Sequence, residues 1–369
     1  MFFRIKMEIF MKLIKIWTIF CCLILASAFV VGCGGDDDDD DQVEAFDAST
    51  MLSDFANTIV LATYTDLDNK ADELLAAVKA LDADTTQANL ETAQQAWIAT
   101  RTPWEQSEAF LFGPVDTQGL DPALDSWPVD HVNLQSVLDS NDELTVEYVS
   151  GLEDTQKGFH TIEFLLFRDG DQRMASDITD RELEYLVSST MNLKDSTSQL
   201  KMAWAPEGEN FVNTVASAGE GNAVYPSQSS AVQEIVNGMI TIADEVANGK
   251  ISDPYNEENT TLVESQFSFN SISDFQDNIR GIQNVYMGKF MIDGQGLNEF
   301  VNGKDTDLDS RFQSEVQNAI NTIGVIPDPF RDSITTNCSA VQAAIDTVSK
   351  VQLTLEQDIL PLVQESEFN

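Results

Sequence analysis

Basic residues and histidines are scarce in this sequence. Lysine and arginine number 20 against 62 aspartate and glutamate residues, the formal net charge is −42, and only 2 of the 369 residues are histidine. Because a chain of this charge is repelled by a phosphate backbone, ordinary nucleic-acid binding is excluded. An acidic surface concentrates cations or maintains solubility, and solubility is the more common reason for it.

Cysteine is almost missing from the part of the chain that we expect to fold. Cys21 and Cys22 lie inside an N-terminal apolar segment, Cys33 follows that segment, and Cys338 is the fourth. One remaining thiol excludes an internal disulfide, so the mature fold depends on its apolar core. Cys338 stands at a predicted helix start with no histidine near it in sequence, and we interpret it as structural.

A long hydrophobic run is present at the N-terminus, where it follows a short basic segment. Residues 16–31 are short for a stable helix across a ~30 Å hydrocarbon core and end in small residues, as signal sequences do. The sequence Val-Val-Gly-Cys33 resembles the lipobox of bacterial lipoproteins. We predict that residues 1–32 are a lipoprotein signal peptide and that lipidated Cys33 anchors the protein to the membrane. An ordinary signal peptide or a membrane anchor is the alternative.

Residues 33–44 form a predicted acidic tether that includes the aspartates 36–41. Such a block repels itself, stays solvated and makes no core. It either holds the domain off the membrane or, because acidic residues after the lipidated cysteine resemble a surface-export signal of Bacteroidetes lipoproteins, directs the protein outward. The predicted location is therefore the cell envelope, as an outer membrane lipoprotein that is surface-exposed under the second interpretation.

Period-two alternation, which marks strands, is scarce, and apolar residues instead recur at helical spacing, as at Leu67, Leu74, Val78 and Leu81. We therefore predict an all-α fold. The predicted helices cover 45–81, 84–112 with a bend at Pro103, 131–139, 144–151, 158–167, 180–204, 226–249, 272–288, 306–323 and 338–363. With a linker near residues 206–208, they form two helical-bundle domains, 45–205 and 206–369.

The segment 158–167 is apolar on nearly every face and should be buried, yet it contains His160 and Glu163. A helix places these two side chains on the same side. A buried carboxylate needs a cation, a donor network or a metal beside it. A structural His–Glu pair explains this spacing as well as a metal does, because zinc proteases usually supply two histidines and a carboxylate.

Two further groups of polar residues lie in otherwise apolar helical segments. The first comprises Arg101, Glu105 and Glu108 on one helical stripe, followed by Asp116. The second follows Ser268 and comprises Asp274, Asn278 and Arg280. Each group could also be a solvated helix face, which is the usual place for such charges.

These segments together resemble the imelysin family. The resemblance covers residues from ~45 to ~360 and depends on several motifs in the family's order. They are Gly158-x-His160-x-x-Glu163 followed by Phe-Leu-Leu, Gln106-Ser-Glu-Ala-Phe110, Phe112-Gly-Pro-Val-Asp116, Asp125-Ser-Trp-Pro128, Arg280-Gly-Ile-Gln-Asn-Val-Tyr286 and Pro329-Phe330.

The resemblance implies an all-α fold of two helical bundles, with the Gly-x-His-x-x-Glu site near the domain interface. Family members are exported proteins or lipoproteins; some are linked to iron uptake and others are described as metallopeptidases. By position, the motif falls on Gly158, His160 and Glu163. Neighbouring polar positions of the family fall on Glu108, Asp116, Ser268 and Arg280.

One motif departs from the family, because this chain has Glu264-Ser-Gln-Phe-Ser268 where relatives often have His-Ser-Arg-Phe-Ser. His160 is then the expected nitrogen ligand, since His131 follows a loop and is expected at the surface. One histidine with carboxylates suits iron, calcium or another divalent cation better than a peptidase centre, which needs an open Lewis-acid position and a general base. A ligand cleft without metal is equally compatible.

Three functions stay open. In the first, the protein binds a metal or an iron-containing ligand for iron or haem acquisition, together with another envelope uptake protein. In the second, it is a metallopeptidase that acts on external protein. In the third, it is an adhesin or scaffold with a structural His–Glu cluster. We favour binding over catalysis. We expect His160 and Glu163 in a cleft between the bundles, with Glu108, Asp116 and Arg280 in reach, and Arg280 or a bound cation compensating Glu163.

Overall fold

Every regular element is helical in the computed structural model, which describes residues 45–168, 170 and 173–369. Within these residues the only β pairings are two isolated bridges, Phe46 with Phe368 and Lys289 with Asp293. The all-α prediction is confirmed. No helix in the described ranges is both long enough and apolar enough to cross a membrane. The predicted signal peptide, Cys33 and the acidic tether lie outside the described residues.

The first half of the described chain contains nine α-helices. They are α1 (Ser49–Asp54), α2 (Ala62–Ala83), α3 (Gln87–Ser107), α4 (Pro114–Thr117), α5 (Leu120–Asp125), α6 (His131–Asp139), α7 (Val146–Ser150), α8 (Gly158–Phe167) and α9 (Asp180–Trp204). A π-helical segment, Phe55–Leu61, joins α1 to α2, and short 3-10 helices cover Glu108–Phe110, Asp154–Gln156 and Ala175–Asp177.

The second half contains nine more. They are α10 (Phe211–Ala216), α11 (Gln228–Asp244), α12 (Ser252–Glu257), α13 (Ser271–Met287), α14 (Leu297–Lys304), α15 (Thr306–Ile323), α16 (Phe330–Thr336), α17 (Cys338–Thr354) and α18 (Leu360–Glu365). Two π-helical segments, Glu245–Ile251 and Leu355–Ile359, extend α11 and α17, and Thr260–Leu262 is a 3-10 helix.

The predicted helix bounds agree with the structure where the sequence supplies a clear cap. Thr179 begins α9 with a reciprocal capping box, in which its hydroxyl accepts from the Glu182 N–H at 3.2 Å and Glu182 Oε2 accepts from the Thr179 N–H at 2.8 Å. The predicted 84–112 helix is shorter, because α3 ends at Ser107 and a 3-10 turn follows. Pro103 lies inside the continuous helix α3.

Helices from both halves of the chain pack around the C-terminal end of α3. α2 pairs with α3 and with α9, and α13 also packs on α3. Gly281 permits this approach, because a Cβ at that position would lie 2.4 Å from the carbonyl oxygen of Gln106. The described residues from 45 onward form one compact unit. The division into domains at 205 and 206 stays a prediction.

Candidate functional site

Helix α8 is held against the end of α5 by its first residue. Gly158 has φ +76°, and a Cβ there would lie 2.3 Å from the carbonyl oxygen of Leu124, so a side chain would be both strained and blocked. Every residue of α8 except Phe164 is buried. The glycine of the motif therefore brings His160 next to Asp125, the last residue of α5.

Glu163 is fully buried, and its carboxylate oxygens make four close polar contacts with neighbouring residues. Its Oε1 accepts from the backbone N–H groups of Phe267 and Ser268 at 3.0 and 2.8 Å and from the Ser268 hydroxyl at 2.8 Å. Its Oε2 lies 2.8 Å from His160 Nδ1. The expectation that Arg280 compensates this carboxylate is wrong, because N–H and O–H donors of the 267–268 segment take that role.

His160 lies between three carboxylates. While Nδ1 faces Glu163, Nε2 lies 3.1 Å from Asp125 Oδ1 and 3.8 Å from Glu264 Oε1, and it forms no well-aligned hydrogen bond with any described residue. Burial opposes the imidazolium form, but Asp125, Glu163 and Glu264 outweigh that effect and raise the pKa of His160 well above its usual value. Ligand atoms of Asp125, His160 and Glu264 lie within 4.8 Å of one another.

Arg101 is the central cation of the site and has no exposed surface. Its Nη1 donates to Asp125 Oδ1, and its Nη2 donates to Glu105 Oε1 and, at 2.9 Å, to Glu264 Oε1. Its Nε lies 3.6 Å from Asp274 Oδ1. One guanidinium thus joins four carboxylates from four separate segments of the chain.

Lys250 is the second fully buried cation and lies in the π-helical segment after α11. Its Nζ is 2.7 Å from Glu108 Oε2, 3.3 Å from Glu105 Oε2 and 3.1 Å from Glu264. Asn278 donates from Nδ2 to the same oxygens of Glu105 and Glu108, at 2.6 and 2.8 Å. Helix α13 therefore supplies a neutral donor where two glutamates meet.

Together these side chains form what we call the buried charge cluster. Its members are Arg101, Glu105, Glu108, Asp125, His160, Glu163, Lys250, Glu264, Asp274 and Asn278, each at most 6% exposed. Among the described residues, six carboxyl groups face three cationic groups when His160 is protonated. The cluster has more carboxyl groups than its own cations can neutralise.

The pKa values show where this excess lies. Burial and neighbouring carboxylates raise the pKa of Glu105 and of Glu108 well above the usual range, and burial raises the pKa of Asp274 to about 6. Although burial opposes ionisation there too, Lys250, His160 and Arg101 lower the pKa of Glu264 to about 2. The site therefore takes up protons or an added cation.

The structure brings most of the predicted site residues together and separates two of them. The ones that meet are His160, Glu163, Glu108, Gly158, Arg101, Glu105, Ser268, Asp274 and Asn278. Asp116 is exposed in α4, and Arg280 is a half-buried partner of Asp277 at 3.0 Å. Two residues along a helix turn the side chain about 200°, so Arg280 lies opposite Asn278 on α13. Their inclusion in the site was wrong.

Asp125, Lys250 and Glu264 were not predicted as site residues. Asp125 stands inside a motif that carries the family resemblance, and Glu264 stands at the first position of the motif that departs from the family; these positions are the signal that could have identified them. Lys250 continues the apolar stripe of Met239, Ala243 and Ala247 on α11 and its extension. A lysine on such a stripe is itself a sign of a buried charge.

The site is enclosed, whereas we expected a cleft between the two bundles. A cavity of about 10 Å³ lies beside His160 and Glu163, walled by Trp127, Val263 and Phe267. That volume is about one water molecule. A much larger groove of about 650 Å³ runs between α13 and α15, but its lining contains no acidic, basic or histidine residue, and it offers no comparable chemistry.

Known proteins resemble this chain in fold and in sequence. The profile of the family described as Imelysin matches residues 60–355. The chain belongs to the imelysin family. Among curated relatives, this imelysin-family chain is 30% identical over 329 residues to iron-regulated protein A of Synechococcus elongatus, which covers 88% of this chain and 89% of the relative.

Two crystal structures resemble this imelysin-family chain. One, of an iron-regulated protein A precursor from Parabacteroides distasonis, has a TM-score of 0.78 and 28% identity over 86% of this chain and 94% of its own. The other, of an imelysin-like protein from Psychrobacter arcticum, has a TM-score of 0.72 and 12% identity over 86% and 95% of the two chains. The second shows a shared fold only.

Proposed function

We propose that this imelysin-family protein binds one iron ion, or another divalent cation, through His160, Asp125 and Glu264. The observation that carries the proposal is the convergence of an imidazole Nε2 and two carboxylate oxygens within 4.8 Å in a buried site. One nitrogen and two oxygens form a donor set for a borderline or hard cation such as iron. The excess of carboxyl groups in the buried charge cluster favours an added positive charge.

Glu163 orients the histidine in this proposal and does not bind the metal. Metal-binding histidines commonly donate their second ring N–H to a carboxylate, which fixes the ring and leaves the other nitrogen free. His160 Nδ1 lies 2.8 Å from Glu163 Oε2, and the 267–268 segment holds the other oxygen of that carboxylate. The motif glutamate thus acts through the histidine.

Metal and proton compete at Nε2, because Nε2 must lose its proton to bind a cation. The nearby carboxylates raise the pKa of His160, so the metal-free site holds that proton at neutral pH. Cation binding therefore releases a proton and weakens in acid. Arg101 holds the same oxygens of Asp125 and Glu264 and fixes the positions of both carboxylates.

Binding is better supported than peptidase activity. A metallopeptidase needs space at the metal for a peptide carbonyl and a water. The cavity beside His160 is about 10 Å³, which also argues against haem as the species held at this site. The names of two relatives contain the words iron-regulated, which supports iron as the cation. We further propose that the protein acts in the cell envelope as a lipoprotein anchored through Cys33.

Metal content of the full-length protein tests the proposal. His160→Ala should abolish stoichiometric Fe²⁺ binding, measured by dialysis and elemental analysis, while far-UV circular dichroism stays helical. His131→Ala is the matched control, because His131 is the other histidine of the chain and is exposed. Equal Fe²⁺ binding by wild type and His160→Ala would overturn the metal site. Hydrolysis of a peptide that is lost in Glu163→Gln would establish the peptidase instead.

A further inference from the structure

We propose that Lys250 fills a second cation site with its own ammonium group and so limits the cluster to one metal. The second site is an oxygen cage made by Glu105, Glu108 and Glu264. The inference deepens the proposed function, because Glu264 would serve both sites. Its natural ligand class, with the lysine removed, is a hard divalent cation such as Mn²⁺ or Ca²⁺.

The geometry around Lys250 is that of a coordinated cation. Four carboxylate oxygens lie within 3.3 Å of Nζ: Glu108 Oε2 at 2.7 Å, Glu105 Oε2 at 3.3 Å, and both oxygens of Glu264 at 3.1 Å. An ammonium group has three N–H donors. Glu264 Oε2 accordingly faces Nζ without a well-aligned hydrogen bond from any described residue, although it is fully buried.

A metal ion is not limited to three partners and would use all four oxygens. Glu105, Glu108, Asp125 and Glu264 also offer ligand oxygens that lie within 4.8 Å of one another, which is the spacing of a cation site. The Trp127 ring lies 5.3 Å from Nζ and closes one side of the cage. The cage is therefore buried and rich in oxygen, and its positive charge is tethered to the chain.

The tethered charge has two consequences for the first site. It excludes a second divalent ion, because the ammonium nitrogen already occupies the position between the carboxylate oxygens that such an ion would take. The ammonium group also competes with a bound metal for Glu264, so it lowers the metal affinity of the His160 site and favours release of the metal. Lys250 is thus a residue that sets stoichiometry and affinity, and it touches no metal itself.

Lys250→Met tests this inference, because methionine keeps the unbranched chain up to the ε position and removes the charged ammonium group. The probe is Mn²⁺ alone on full-length protein, with stoichiometry by equilibrium dialysis and spin coupling by electron paramagnetic resonance. Wild type should bind one Mn²⁺, and Lys250→Met should bind two that are coupled. Lys194→Met is the control, since Lys194 pairs with buried Asp68 outside the cluster, and it should bind one.

Double substitution separates this inference from the proposed function. His160→Ala combined with Lys250→Met should bind one Mn²⁺ in the cage. If wild type binds none, while Lys250→Met and the double variant each bind one, the His160 site fails and the cage stands. If Lys250→Met gains no Mn²⁺ over wild type, the cage is refuted. If Lys250→Met loses its helical circular dichroism, added Mn²⁺ must restore it, and failure to do so also refutes the cage.

Discussion

Replacing Arg101 by methionine should strongly destabilise the protein. The substitution keeps an aliphatic chain beside Phe159, whose ring lies 5.0 Å from the guanidinium carbon, and removes the charge that joins four carboxylates. Removing one partner of a buried ion pair costs about 3–5 kcal/mol, because the other charge is left uncompensated. Domains are stable by ~5–15 kcal/mol, so this loss is a large fraction of the total.

The loss of stability caused by Arg101→Met should be smaller in acid. Glu105, whose pKa burial already raises, needs no counter-ion once it is protonated. When the pKa of a carboxyl group is raised in the folded state, the folded protein gains stability as the pH falls through that pKa. The difference between wild type and Arg101→Met should therefore narrow between neutral pH and about pH 5.

Urea unfolding followed by circular dichroism measures both effects. The matched control is Arg280→Met, which removes a half-buried surface arginine that pairs only with Asp277 among the described residues. Surface substitutions of this kind change stability by about 0.5 kcal/mol or less. Equal midpoints for Arg101→Met and Arg280→Met would refute the view that Arg101 holds the cluster together.

Two further predictions concern the surroundings of the site. Gly158→Ala should lower the free energy of unfolding by about 3 kcal/mol or more, because it combines a positive φ with a backbone clash. The control is Gly303→Ala, where nothing lies within 4 Å of the added Cβ, and it should change stability in urea little. Equal effects of the two substitutions would contradict the prediction. At the start of α9, the Thr179 N–H, Arg168 and Arg173 outweigh burial and lower the pKa of Glu182 to about 2. That contribution to stability is present above the usual pKa of 4.5 and is lost as the pH falls toward 2, so Glu182→Gln should flatten the acid limb of the stability profile.

The sequence alone was sufficient for much of the fold and for seven of the ten members of the buried charge cluster. The bounds of α8 and α9 follow from a continuous apolar segment and a capping box. From the buried position of Glu163 we also correctly predicted that its carboxylate needs a partner. Its backbone donors could not be predicted, because the N–H groups of Phe267 and Ser268 are main-chain atoms that leave no residue signature.

The errors have physical causes as well. Asp274 and Asn278 are one helical turn apart and share a face, whereas Arg280 faces away, which helical geometry could have excluded. Lys250 was missed because a lone lysine near a helix end usually lies in solvent. Its contact with Glu108 joins residues 142 positions apart, which only the packed fold defines.

Iron-edge X-ray absorption of the full-length protein loaded with Fe²⁺ tests the central claim most directly. The proposed site predicts one imidazole nitrogen among oxygen ligands. That imidazole signature should be present in wild type and in His131→Ala, and it should vanish in His160→Ala. A signature that persists in His160→Ala, or an all-oxygen spectrum in wild type, would contradict the account.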